Sequence, residues 1–387
     1  MYQNFGRARL SDFFGDMVVY RNLEPLDRRI KGLKAAGYKM GIDSDRIPRK
    51  LDKEYAKAAR WFVEEAQRLR GVSAALQEVV FLGDTLLNDG RAYANLRKLT
   101  GWQGTCFIGA ERLNQAPATE INDAEQLYSA NRWAALGQFT QWSVEQGIKF
   151  NQSTVVLVDI DKTALGAKGR NDSVIDAARL EGIFRTMHEV LGDNFNRAQF
   201  EREYDQINRA RYHFLTEDNQ DYVAYICLAL NSGLVHLDEM SVEIENKGLE
   251  NFEQFVRWVE SRLMSVSAPL EDLRQVHETI RTSVRMGDPT PFKRFRRAEF
   301  AATALRMGQM ADSTPVESLL KQEITLTQEV CELVEWLQAR NCLLLCLSDK
   351  PDEASCPDLR DHSDMQPLHR TETHRVGTSI RELLQDI

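Results

Sequence analysis

The chain has 387 residues, 43% of them hydrophobic and 28% charged, an ordinary globular balance with length enough for two or three domains. Its net charge of −9 argues against a generic nucleic-acid binder, whose affinity comes from Lys and Arg neutralising phosphates. No apolar run reaches membrane-spanning length and the polar start Met1–Arg9 has no signal-peptide core, so a cytoplasmic protein with no membrane partner is expected.

In chain order, Pro25–Ala36 reads as a helix with Leu26, Ile30 and Leu33 on one face, stopped at Gly37. Tyr38–Ile42 suits a short strand and Asp43-Ser44-Asp45 a turn; Asp52–Arg70 carries a strong helical pattern. Glu78–Leu82 is an apolar strand running into Gly83-Asp84-Thr85-Leu86-Leu87-Asn88-Asp89-Gly90, followed by a helix through Leu96 and a strand at Gly104–Gly109. This alternation predicts a parallel sheet flanked by helices. Residues 110–150 read as a polar connection with a helix from Ala130 to Gly147.

Thr154–Val158 is short, mostly β-branched and apolar on both faces, as expected of a strand buried in mid-sheet, and it runs into Asp159-Ile160-Asp161-Lys162-Thr163. Open α/β sheets place ligands at that carboxyl edge. Carboxylates two residues apart on extended chain share a side, so both can serve one metal ion and one phosphate. From Ser173 to Leu337 helical patterns broken by Gly192, Gly233, Gly248, Pro269, Pro289 and Pro291 suggest an inserted all-helical module. Val330–Arg340 is a helix, and Cys342–Leu347 a buried strand ending in Ser348-Asp349-Lys350-Pro351. The last thirty or so residues are polar, without a clear strand, and His362, His369 and His374 read as surface residues. The cysteines, several of them in apolar runs (Cys106, Cys227, Cys342, Cys346), look like reduced core thiols. Cys342, Cys346 and Cys356 lack paired zinc-site spacing.

Three strands thus end on residues suited to phosphate chemistry. Each also has a plainer use: Asp159–Thr163 as a solvated turn after a core strand, Asp84 as the N-cap of the next helix and Ser348 as a turn residue; Lys50, before the helical stretch Asp52–Arg70, could equally be a solvated surface lysine.

These stretches resemble the haloacid dehalogenase-like phosphohydrolase superfamily. Its first motif, a strand ending D-x-D-x-T, is matched by Asp159–Thr163; its second, a strand ending in Ser or Thr, by Leu347-Ser348 with Lys350-Pro351 beside it. The third, a lysine just before a helix, is matched loosely by Lys50-Leu51-Asp52-Lys53-Glu54, and the fourth by Gly83-Asp84 through Asn88-Asp89. Lys162 stands where a glycine is usual, and Leu51 replaces a proline. The third and fourth motifs here precede the first. Two arrangements account for that order: a circular permutation, or a tandem pair whose N-terminal copy uses Leu10–Asp16 as a decayed first motif and Ser44 as its second.

The resemblance implies an α/β, Rossmann-like parallel sheet with flanking helices plus an inserted all-helical cap. Residues 1–112 would form the half carrying the lysine and the fourth motif, and 113–153 a helical connection. Residues 154–172 and 326–387 would form the other half, and 173–325 the cap. Asp159 would be the nucleophile and Asp161 the general acid and base; Mg²⁺ would be held by Asp159, Asp84, Asp89 and the Asp161 carbonyl. Thr163 and Ser348 would bind phosphoryl oxygens, Asn88 or Asp89 would position the lysine or a metal-bound water, and Lys50, with Lys53 and Lys350 as substitutes, would balance charge. The substrate would be a small phosphorylated metabolite, met also by basic stretches of the cap at Arg209–His213 and Phe292–Arg297. Two other readings remain open: a non-catalytic interaction or regulatory protein that keeps the fold, and a receiver-like phosphoacceptor. The sequence is silent on oligomeric state.

Overall fold

The computed structural model describes residues 2–43, 46–265, 271–358 and 364–387. Its strands, in chain order, are β1 (Gln3–Ala8), β2 (Val18–Val19), β3 (Glu78–Gly83), β4 (Gln103–Gly109), β5 (Thr119–Asn122), β6 (Leu127–Ala130), β7 (Thr154–Val158), β8 (Leu326–Thr327), β9 (Leu343–Leu347) and β10 (Thr373–Gly377). Seven of them form one sheet in the order β2-β9-β7-β3-β4-β6-β5, parallel throughout except for the antiparallel β5–β6 pair. The fold is α/β with a mostly parallel, Rossmann-like sheet.

Why β7 takes the middle follows from its residues. All five are buried, as are all of β3 and β9, so each strand needs an apolar side chain on both faces. In register, Val158 sits opposite Leu82 on one side and Cys346 on the other. The residues that follow, Asp159, Gly83-Asp84 and Leu347-Ser348, therefore leave the sheet at one edge. On one face the core is built on Phe81, Val155, Leu157, Leu343 and Leu345, with Phe62 and Val63 of the helix Lys53–Leu69 packed there.

Several expectations are corrected. Leu33–Met40 is helical, so Tyr38–Met40 is not a strand; Gly37 lies inside that helix, and the helix stops at Gly41, whose φ of 69° suits a residue without a Cβ. Only the last part of the expected helix at 25–36 forms. The connection 113–153 is not purely helical: β5 and β6 make a hairpin that extends the sheet, followed by a helix at Leu136–Glu145. The C-terminal stretch contains β10, which pairs with β1 and β8 in a separate three-stranded sheet. Leu10–Phe14, which a tandem copy would need as the end of a strand, is a helix. Ser44 and His362 lie outside the described residues. His369 and His374 are buried rather than on the surface: His369 faces Asp16 at 3.0 Å, and His374 lies between Glu323 at 2.7 Å and Asp312 at 3.1 Å.

The chain divides into two compact units, Met1–Ala178 with Thr303–Ile387, and Arg179–Ala302. Residues 303–325 thus group with the α/β unit. The second unit is helical. Its core helix, Gln220–Asn231, is buried along nearly its whole length among Phe200, Phe252 and Phe255. Arg296 of the basic stretch is buried there, 2.6 Å from both Asp221 and Glu299, so it is a structural cation and not a free one.

Candidate functional site: an acidic cluster at the sheet edge

The cluster begins where β7 stops. The Asp159 backbone N–H donates to the Leu82 carbonyl, and its side chain, only 4% exposed, sits at the strand end. The chain then turns tightly, with Lys162 at a φ of 64°, the left-handed region that favours glycine. The chain makes this bend with a lysine where a glycine would do so without strain.

From the neighbouring strand, Gly83-Asp84 leads into a π-helical turn at Leu86–Gly90 that carries Asp89 back under the strand end. One Asp89 oxygen, Oδ2, accepts from the backbone N–H of Asp84 (3.1 Å) and of Thr85 (3.0 Å) and from the Thr85 hydroxyl (3.0 Å). Gly83 is required for this return. A Cβ there would lie 2.4 Å from the Asp89 side chain.

Lys50 enters from just before the helix Lys53–Leu69. Its buried ammonium stands 2.6 Å from Asp159 Oδ1 and 2.6 Å from Asp89 Oδ1. Of the three lysines offered by the sequence, Lys50 is the one that reaches these acids. Lys53 is exposed, and Lys350 lies 3.3 Å from Asp161 instead. Asp84, Asp89 and Asp159 offer carboxylate oxygens all within 4.8 Å of one another. The Asp161 carboxylate is not part of that group.

Burial pushes the Asp159 carboxyl well above the usual carboxylate range; Lys50 opposes this, and Asp89 and Asp84 add to it. Asp84 is pushed up for the same reasons, with Lys168 pulling against them. Burial also works against the charge on Lys50, but Asp159 and Asp89 outweigh it and hold the ammonium charged. Acids packed in a dry site relieve their repulsion either by taking up a proton or by holding a cation. An all-oxygen donor set of three carboxylates suits a hard divalent ion such as Mg²⁺.

Thr163 is fully buried, and its hydroxyl has no hydrogen-bond partner among the described residues. Such a group costs free energy unless something binds it. Ser348 is buried at the end of β9, where its oxygen accepts from the Lys350 N–H at 3.2 Å. Asn88 is half-buried on the π-helical turn.

Sequence reasoning missed two parts. Lys168 holds Asp84 by its carboxylate and by its carbonyl, each at 2.9 Å. Arg49 reaches Asp349 at 3.1 Å, tying the residue before Lys50 to the residue after Ser348. The adjacency of Arg49 to Lys50 and of Asp349 to Ser348 was the available signal; nothing in the sequence around Lys168 marks it.

Comparison with family models, with curated proteins and with solved structures gives no match. What the fold and site define is an α/β protein with three clustered carboxylates at the carboxyl edge of its central strands, two of them bridged by the buried Lys50 and the third paired with Lys168.

Proposed function

We propose that the protein is a Mg²⁺-dependent phosphohydrolase or phosphotransferase acting through an aspartyl-phosphate on Asp159, a permuted counterpart of the haloacid dehalogenase-like enzymes. The observation that carries this reading is Lys50, held 2.6 Å from both Asp159 and Asp89 while Asp84 completes the acidic group. Four segments far apart in sequence, at Lys50, Gly83–Asp89, Asp159–Thr163 and Ser348, end at one edge of one sheet. The helical unit also interrupts the chain between Asp159 and Ser348, where the family places its cap.

Asp159, Asp84 and the Asp161 carbonyl, with Asp89 beside them, would hold the ion. When bound, Mg²⁺ neutralises phosphoryl oxygens so that a carboxylate can approach phosphorus. An Asp159 oxygen attacks in line; its bond to phosphorus forms as the bond to the leaving oxygen breaks. Asp161 gives that oxygen its proton, then removes one from the water that cleaves the acyl-phosphate, releasing inorganic phosphate and restoring Asp159. The Thr163 and Ser348 hydroxyls donate to phosphoryl oxygens, and Lys50 offsets charge on the nucleophile and the group in flight.

The test is hydrolysis of p-nitrophenyl phosphate and a panel of phosphorylated metabolites with Mg²⁺ or with EDTA, together with trapping of beryllofluoride. Turnover that needs Mg²⁺ and falls by at least about three orders of magnitude in Asp159→Asn is expected. Turnover indifferent to EDTA or surviving that substitution, or no binding of Mg²⁺ or beryllofluoride, overturns the proposal.

A further inference from the structure

The parallel strands β3, β4 and β6 are neighbours, and beyond their carboxyl ends lies a cleft of about 460 Å³. Asp84 and Lys168 of the acidic cluster form one wall. Arg112, Gln115, Ser129 and Asn131 belong to the rest of the lining. With neighbouring strands about 5 Å apart, the far wall stands roughly 10 Å across the sheet from Asp84.

The far wall is a loop held in one shape by two side chains of the segment after β6. Arg132 donates to the Arg112 carbonyl at 2.9 Å and to the Gln115 carbonyl at 2.6 Å. The Asn131 amide donates to the Ala116 carbonyl at 2.8 Å, and its oxygen accepts from the Ala118 N–H at 2.7 Å. These bonds consume Arg132 and Asn131 as supports. They leave Arg112 and Gln115 as exposed residues of the cleft lining whose side chains are not needed to hold the loop, with no ion pair to Arg112 among the described residues. Lys168, the other cation there, is already bound to Asp84. Glu120 also lines the cleft, on the exposed strand β5.

A planar guanidinium on a pre-formed loop, one cleft-width from a phosphoryl-transfer centre, suits a carboxylate or phosphate and would bind it through paired hydrogen bonds. We propose, resting on the function proposed above, that this cleft takes the leaving group of the substrate. That substrate is a small hydroxylated organophosphate carrying a second anionic group at the end remote from the transferred phosphoryl. Arg112 engages that second anion, and the hydroxyl of Ser129 and the amide of Gln115 meet the polar body between the two ends. The volume is enough for a phosphorylated sugar or sugar acid.

The test uses the full chain carrying Asp159→Asn, so that ligands bind without turnover, in the presence of Mg²⁺. Calorimetry compares matched pairs that differ only in the second anion: glucose 6-phosphate with glucose 1,6-bisphosphate, and glycerol 3-phosphate with 3-phosphoglycerate. At least one doubly anionic member is expected to bind about tenfold or more tightly than its partner. Adding Arg112→Ala should collapse that ratio towards one, and Arg112→Lys should restore part of it. No preference for either doubly anionic ligand, or a preference that Arg112→Ala leaves intact, overturns the inference. Loss of the underlying reading shows separately, as an absence of Mg²⁺-dependent p-nitrophenyl phosphate hydrolysis by the wild-type chain.

Discussion

The ammonium of Lys50 lies 2.6 Å from Asp159, a residue 109 positions later in the chain. No local structure brings them together. The contact exists because β7 lies beside β3 in the sheet and because Arg49 is pinned to Asp349 next to the end of β9. One buried cation thus meets carboxylates that come from two different strand ends, and its loss would leave Asp159 and Asp89 facing each other without it.

Lys50→Met should be more damaging to stability than an ordinary core substitution. Removing one partner from a buried ion pair leaves an uncompensated charge and costs about 3–5 kcal/mol. Chemical unfolding of the variant should show that loss, partly recovered by Mg²⁺ as the replacement cation. A variant as stable as wild type would mean that the lysine is not buried between the acids in solution.

Gly83→Ala should disturb the site through Asp89. The added methyl would arrive 2.4 Å from the Asp89 side chain, which is fixed by the Asp84 and Thr85 N–H groups. Overpacking of this kind costs about 1–3 kcal/mol. Asp89 is expected to yield, weakening its contact with Lys50 and lowering Mg²⁺ affinity. Wild-type thermal stability together with wild-type Mg²⁺ affinity in this variant would refute the account of the glycine.

How much of this was legible in the sequence depended on burial. β3, β7 and β9 were readable because strands covered on both faces are apolar nearly throughout (Glu78 and Thr154, which begin two of them, hydrogen-bond each other), and their polar terminators stand out against that background. β5 was not: all four of its residues are exposed, and Thr-Glu-Ile-Asn carries no buried face to announce a strand. His369 and His374 were misplaced because polarity argues for the surface, whereas His374, for one, is accommodated inside by Glu323, a residue of a segment 51 positions away. Lys168 was missed because its partner, Asp84, is set by a loop path that has no sequence period. Choosing Lys50 over Lys53 likewise needed the direction in which the helix Lys53–Leu69 enters the fold.

Asp352 gives the pH dependence a specific component. Its carboxylate accepts from the Asn22 N–H at 2.8 Å, and burial pushes its pKa up to about 7. An acid raised on folding binds its proton more tightly in the native state. Its contribution to stability is full below the ordinary carboxylate pKa and is lost as pH rises through about 7. Within that window one such group changes stability by at most about 1.4 kcal/mol per pH unit. Asp352→Asn keeps an oxygen for Asn22 and has no proton to lose. Urea unfolding at pH 5 and at pH 8 should show the variant gaining on wild type at the higher pH. An unchanged difference between the two pH values would rule out the buried acid.

Mg²⁺ and Lys168 should compete for Asp84. The Lys168 ammonium is 2.9 Å from Asp84 Oδ2, an oxygen a metal ion would also use. Lys168 is a third exposed, so its pair is worth only about 1 kcal/mol in the absence of metal. A bound ion contributes more, about 2.7 kcal/mol at a hundredfold excess over its dissociation constant. Millimolar Mg²⁺ should therefore raise the Tm of the wild-type chain. Lys168→Ala should lower the metal-free Tm slightly and widen the Mg²⁺ shift, because the oxygen is then uncontested. Asp84→Asn should remove most of the shift by taking away the ligand itself. Differential scanning calorimetry of the three chains with EDTA and with Mg²⁺ reads all of this directly. Equal shifts in wild type and Asp84→Asn would show that any bound ion sits away from the end of β3.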